Sequence, residues 1–310
     1  MSRFLSRLAA AVTLFAGSLV ATPAPAEASV PPIGAEPIRV MPLGDSITYG
    51  VGTPQQDSYR TDLYRRLTRA GLSVDFVGSQ RSGTGADPDN EGHPGWTIAQ
   101  LSEQLDGWLA SYSPDVILLH IGTNDMYRNL PGAAERLAAL LDQIEADAPH
   151  AQVFVSKIIG IASSDPAHRA RNAAYNAAIT RLVGARGGNF RLVDQSAVHG
   201  IDLFDRVHPN AYGFRRMSWT WYRALEPYLT TGAKAWPAGD NPAMDASSIR
   251  CIEMIRTSYA KYARGCHRWY HDRLSGQWRL PIRVHQKYTI KKLGRSVVRN
   301  RLVVRWATAW

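Results

Sequence analysis

Ser46 follows a short apolar run, Ile38 to Leu43, in the stretch Leu43-Gly44-Asp45-Ser46-Ile47. A serine just past a strand end lies where open α/β sheets bind their ligands. Its hydroxyl becomes a nucleophile only when a neighbouring base takes the proton. Among nine histidines, His208 has a carboxylate three residues before it, in Asp205-Arg206-Val207-His208-Pro209. Within one loop that offset lets the carboxylate reach Nδ1 while Nε2 turns toward the serine. Each piece alone has a plainer reading. Gly-Asp-Ser arises by chance, a serine there can simply cap the next helix, and Asp-x-x-His is common where a loop enters a helix.

Acyl transfer also needs donors aimed at the oxygen on which negative charge develops. Two stretches offer them. Gly95, in His93-Pro94-Gly95-Trp96, can bring a backbone N–H close to a substrate. Asn124, in Gly122-Thr123-Asn124-Asp125, follows a buried strand and carries a side-chain amide. The plain alternatives are a tight turn at Gly95 and an Asn-Asp turn at Asn124. Asp45, His93 and Trp96 are candidates for the pocket wall, though His93 and Trp96 could equally just pack. His199 has Ser196 where a partner acid would stand, so it reads as a loop residue. His120, inside an apolar strand, reads as a satisfied core residue.

The elements that must position these groups alternate along the chain. Helical spacing runs over Tyr59–Ala70, Ile98–Leu109, Gly132–Ala148, His168–Val183 and from Asn210 to about Tyr228, with Asn210 as N-cap. Strands are expected at Leu72–Val77, Val116–Ile121, Val153–Ile159 and Phe190–Val193. Continuous apolar runs such as Val116–Ile121 suit strands covered on both faces. Ser79–Gly95 reads as a long, polar, Gly-rich loop. Strands alternating with helices call for a parallel sheet with helices on both sides.

Gly44-Asp45-Ser46, Gly95, Gly122-x-Asn124-Asp125 and Asp205-x-x-His208 occur in that order, each after an expected strand or its loop. The chain thereby resembles the SGNH (GDSL) hydrolase superfamily from about Ile38 to Tyr228. Tyr59-Arg60-Thr61-Asp62-Leu63-Tyr64, Asp75-Phe76-Val77-Gly78-Ser79-Gln80 and Glu91-Gly92-His93-Pro94-Gly95-Trp96-Thr97 make it look most like the family 3 carbohydrate esterases, which include acetyl xylan esterases. The resemblance implies a flavodoxin-like three-layer α/β/α sandwich around a parallel sheet. It implies Ser46 as nucleophile, His208 as base and Asp205 as orienting acid, with Ser46 N–H, Gly95 N–H and the Asn124 amide as oxyanion donors. Arg206 departs from the family, many of whose members have glycine there.

Bulk composition divides the chain. Its 310 residues carry a net charge of +10. Residues 241–310 hold 15 Lys+Arg against 3 Asp+Glu, leaving 21 basic and 23 acidic residues to the first 240. The basic start (Arg3, Arg7), the apolar run Leu8–Val20 and small residues near Ala26 and Ala28 read as a secretory signal over 1–28. A catalytic domain over 33–230, a linker over 231–242 and a small basic β unit over 243–310 are expected to follow. Cys251 and Cys266, an isolated pair in a secreted chain, read as one disulfide. Cys266-His267-x-x-x-His271 lacks the paired spacing of a zinc site, so no metal is expected, and the chemistry calls for no organic cofactor.

The expected product is a secreted serine esterase taking O-acetyl esters of xylan or another plant polysaccharide, with no nucleic-acid partner and no stable membrane insertion. The rival enzyme reading is a lipid or general short-chain carboxylesterase. The rival from another class is a binding protein whose tail, through Trp269, Tyr270, Trp278, Tyr288, Trp306, Trp310 and its cations, holds anionic polymer or cell wall.

Overall fold

The computed structural model describes residues 36–229, 236–237, 240–256 and 262–308. The signal expected at 1–28, most of the linker expected at 231–242, and Trp310 lie outside them.

The first part of the chain runs β1 (Ile38–Asp45), α1 (Ser46–Tyr49), α2 (Tyr59–Arg69), β2 (Val74–Phe76), β3 (Gln80–Arg81), β4 (Asp89–His93), α3 (Ile98–Tyr112), β5 (Val116–His120) and α4 (Thr123–Tyr127). It continues through α5 (Ala133–Asp147), β6 (Gln152–Lys157), α6 (Pro166–Arg186), β7 (Phe190–Asp194) and α7 (Ala211–Leu225). The strand order is β3-β4-β1-β5-β6-β7, parallel throughout except between β3 and β4. β2 pairs with β1 at Ile38–Val40 and β4 pairs with it at Leu43–Asp45, so the two share one edge of β1 while β5 takes the other. The strand order reverses between β1 and β5, the switch point beside which such sheets bind ligands.

Side chains alternate across the sheet because the strand period is two. Met41, Leu43, Ile117, Leu119, Val153 and Val155 pack under α3, α5 and α6. Val40, Val116, Leu118, Phe154 and Val193 pack under α2 and α7, with Tyr59, Met217 and Trp221. These two apolar layers make the three-layer α/β/α sandwich implied by the sequence.

The stretch 79–95 is not a structureless loop. It holds β3 and β4, and β4 lies in the sheet against β1. Its sequence Asp89-Asn90-Glu91-Gly92-His93 carries no apolar side chain, so hydrophobic patterning could not reveal it. Buried polar contacts hold it instead. Asn90 Nδ2 donates to Pro88 O at 3.0 Å, and Glu91 accepts from Ser79 N at 2.7 Å and Ser79 Oγ at 2.6 Å. Arg60, almost fully buried, ties this region to α1. Its guanidinium donates to Thr48 O (2.9 Å), Tyr49 O (3.2 Å), Ser82 O (2.9 Å) and Pro88 O (2.9 Å). Burial pulls its pKa down to about 10.

Beyond α7, Trp236 is buried against Tyr222, so the expected linker is pinned at that residue. A second, antiparallel sheet follows: β8 (Ser247–Arg256), β9 (Tyr262–Asp272), β10 (Gln277–Lys292) and β11 (Arg295–Thr308), in the order β11-β10-β9-β8. Ser248–Trp269 is strand on both sides of residues 257–261, which lie outside the described residues. Cys251 and Cys266 sit opposite each other across β8 and β9 and are joined. Leu293 and Gly294, both at positive φ, turn β10 into β11. β9 pairs with β10 only at Gln277–Arg279. Past that point the hairpin is a two-stranded ribbon. Residues 273–308 carry ten Lys+Arg and no Asp or Glu.

Candidate active site

Ser46 Oγ lies 2.9 Å from His208 Nε2, and His208 Nδ1 lies 2.7 Å from Asp205 Oδ2. A carboxylate can only accept, so Nδ1 carries the proton and Nε2 presents its lone pair to the serine. Ser46 stands where β1 ends and α1 begins, with Asp45 as N-cap accepting from Ile47 N at 2.9 Å.

The loop bearing Asp205 and His208 is closed by its own hydrogen bonds. Asp205 Oδ1 accepts from Val207 N (2.9 Å) and His208 N (2.8 Å), an Asx-type turn that fixes the three-residue offset. Phe204 N donates to His208 O at 2.8 Å, and Leu203 bridges to Pro209. Asn210 caps α7 through Tyr212 N and Gly213 N, while its amide reaches back to Ile201 O at 2.8 Å. Gly52, at φ +112°, packs on the other side, where a Cβ would stand 2.3 Å from Pro209 O and 3.0 Å from His208 Cβ. Burial pushes the Asp205 carboxyl up, but hydrogen bonds from the His208 ring, His208 N and Val207 N outweigh it and hold it below the usual range. Arg206, the departure from the family pattern, is exposed; its carbonyl accepts from Ala162 N at 2.8 Å.

The candidate oxyanion donors follow three adjacent strands. Asp45 pairs with His93 and Gly44 with His120, so Ser46, Gly95 and Asn124 all come just after the carboxyl ends of β1, β4 and β5. Asn124 Nδ2 donates to Trp96 O at 2.9 Å, which ties the Asn124 and Gly95 turns together and leaves its second N–H for a ligand. Gly95 has φ +83°, and a Cβ there would meet only Arg128 Nη2, at 3.7 Å. The glycine is needed for its backbone angle, not for space. Arg128 donates to Gly95 O at 2.7 Å, a buttress with no signature in the sequence.

Three expectations change. Asp45 has no exposed surface, so it cannot line a pocket; it holds the turn beneath the serine. His93 is buried, stacked between Trp96 (4.2 Å between ring centroids) and Trp108 (4.7 Å), with Nε2 2.6 Å from Glu91. It packs behind the Gly95 turn, and Trp96, partly buried, packs on it. His120 is a core residue, but neither ring nitrogen has a hydrogen-bond partner among the described residues. Burial lowers its pKa to about 4, so the ring is neutral. His199 is an exposed loop residue, as read from the sequence. It lines a cleft of about 860 Å³ beside Asp205, between Gly160–Ser164 and the β8 residues Ile252 and Met254.

Residues 43–216 match the GDSL-like lipase/acylhydrolase family. The chain belongs to that family. It is an ester-hydrolysing enzyme of the SGNH type. It is 33% identical over 225 residues to a multidomain esterase of Ruminococcus flavefaciens, a match covering 62% of this chain but only 29% of that protein. Among solved structures it is 37% identical to a family 3 carbohydrate esterase of Clostridium thermocellum, with a TM-score of 0.57 over 64% of this chain and 100% of that one. It is 29% identical to a mutant acetyl esterase solved with an acetate ion, with a TM-score of 0.55 over 62% of this chain and 98% of that one. The GDSL family match ends before the C-terminal sheet begins.

Beneath Ser46 this esterase buries a charge at a cost. Burial pushes the Asp45 carboxyl up to about 6, against the partial relief of Ile47 N–H and His208. Between about pH 4 and 6 the folded chain holds a proton that the unfolded chain has lost, so this group's contribution to stability falls as pH rises through that window. Above it the penalty stays constant at about 3 kcal/mol. Asp45→Asn keeps the cap and removes the charge. Urea unfolding should find the variant more stable than the parent by about 1–3 kcal/mol at pH 8, with the gap closing toward pH 4. A gap independent of pH would mean that Asp45 titrates normally.

Proposed function

We propose that this chain is a secreted serine esterase that removes acetyl groups from xylan or another plant polysaccharide. The observation that carries the catalytic reading is the unbroken line of contacts from Ser46 Oγ through His208 to Asp205. His208 Nε2 takes the hydroxyl proton as Ser46 Oγ attacks the ester carbonyl. Asp205 holds the imidazole in the required tautomer and stabilises the imidazolium. Ser46 N–H, in the first turn of α1 and so without an intrahelical acceptor, shares the tetrahedral oxyanion with Gly95 N–H and the Asn124 amide. The imidazolium returns its proton to the departing sugar oxygen. Water, deprotonated by the same nitrogen, then releases acetate from the acyl-serine.

Ser46→Ala should lower kcat at least about a thousandfold with an unchanged unfolding transition. A near-normal rate would remove Ser46 as nucleophile.

Acetyl specificity is supported by the likeness to a family 3 carbohydrate esterase and to an acetyl esterase. Secretion is supported by the signal-like first 28 residues and by the disulfide, which persists in oxidising compartments. On esters of one alcohol with acyl chains from acetyl upward, kcat/KM should drop sharply beyond acetyl, and acetate should be released from acetylated xylan. A rate that rises with chain length would instead favour the lipid esterase reading.

The basic ribbon supports a second role, holding the enzyme on an anionic polymer or cell wall. The Arg301 guanidinium lies 5.5 Å from the Tyr288 ring centroid, and Val298, Leu302, Val304 and Trp306 are exposed. Retention on an insoluble acidic polysaccharide should fall steeply between low and high salt while kcat on a small soluble ester stays constant. Failure to be retained at low salt would remove this role.

A further inference from the structure

The C-terminal sheet grips the run of residues immediately before Asp205. Ile201 is buried in that sheet's small apolar core, with Ile252, Ala263, Trp269 and Leu280. Asp202, almost fully buried, pairs with Arg216 of α7 and, at 3.1 Å, with Arg250 of β8. Phe204 O accepts from Glu253 N at 2.6 Å. That last bond exists because β8 is an edge strand with a register shift between Ile252 and Ile255, which frees the Glu253 N–H from the ladder.

Arg250 does more than pair with Asp202. Its side chain is fully buried, its guanidinium lies 3.9 Å from the Tyr212 ring centroid and 3.9 Å from that of Trp278, and its Nε donates to Ser248 Oγ at 2.9 Å. Asp202 precedes the Asp205–His208 loop and Tyr212 follows it. One guanidinium therefore touches both stems of the loop that carries base and acid. A buried cation is costly unless paired, and the Asp202 carboxylate supplies that pair. Lysine could supply the charge but not the planar face that lies between the two rings.

We propose that the C-terminal sheet is a working part of the active site, and that Arg250 is a positioning residue that sets the Asp205–His208 loop against Ser46. This rests on the reading of Ser46, His208 and Asp205 given above. Displacements of about 1 Å at reacting groups can cost about a hundredfold in rate, so loosening both stems should appear in turnover. Arg250 is fully buried and does not line the cleft beside Asp205, so affinity should change little.

The full-length protein is assayed on a soluble acetyl ester as Arg250→Met, Arg250→Lys and Glu253→Pro, beside Ser46→Ala. Arg250→Met should lower kcat about tenfold or more with KM within about twofold, and Arg250→Lys, which keeps the charge but not the planar face, should recover only part of the loss. Glu253→Pro, at an exposed side chain of an edge strand, removes the N–H to Phe204 O while fixing φ there, and should lower kcat several-fold, again at constant KM. Each variant's unfolding transition is measured alongside. If Arg250→Met fails to fold, Glu253→Pro decides alone. Folded variants that keep kcat within twofold of the parent, or that lose rate only through KM, would overturn the proposal. An active Ser46→Ala would instead overturn the catalytic reading on which it rests.

Discussion

A histidine can serve a serine only if its ring is held at hydrogen-bond distance with one tautomer fixed, and the rest of this fold is arranged around that demand. The partners lie 162 residues apart in the chain, joined by one 2.9 Å contact. They meet because β1 occupies an inner position of the sheet and the loop before α7 returns over its carboxyl end. A flexible loop there would spend most of its time out of reach. Asp205 removes that freedom twice, by binding the ring and by folding the backbone of Val207 and His208 around its own carboxylate. The residue that fixes the tautomer thus also shapes the loop.

The surroundings of Ser46 are polar to an unusual depth. Asp45, Glu91, Asn90, Arg60 and Asp125 are all buried within or beside the ends of β1, β4 and β5. Asp125 accepts from Ile98 N at 3.0 Å and pairs with Arg136 at 2.7 Å. Such groups add less stability than apolar packing of the same volume, yet each has a fixed geometry that apolar packing would not enforce. Two apolar layers supply the cohesion. The polar seam along one end of the sheet supplies the turns that carry the candidate donors.

β5 and β6 were legible because strands covered on both faces read as unbroken apolar runs. β4 escaped because its side chains are polar, glycine or histidine and are paid for by hydrogen bonds that leave no periodic trace. Ser46, Asp205 and His208 stood out because a hydroxyl, an imidazole and a carboxylate at strand ends and in one loop have a chemical reason to be together, and the ordered motifs made the resemblance specific. The pairing of Cys251 with Cys266 was legible from their isolation. Asp45 was misplaced because the sequence names a carboxylate without saying which way it points. Arg60, Arg128 and the contact of Asp202 with Arg250 left no local signal. An arginine that binds carbonyls or an acid far along the chain looks, in sequence, like any solvated arginine.

The position of Arg250 also turns chain order into an order in time. Synthesis completes Ser46, Asp205 and His208 before the arginine that touches both stems of their loop exists. Cys251 lies next to that arginine, and its partner Cys266 follows later still. A chain partway through its manufacture therefore carries every group of the hydrogen-bonded line without the outer fastening. The fastening is completed only when the C-terminal sheet closes on the loop. The stretch that carries Ser46 is made first, and the C-terminal fifth that fastens the loop is made after it.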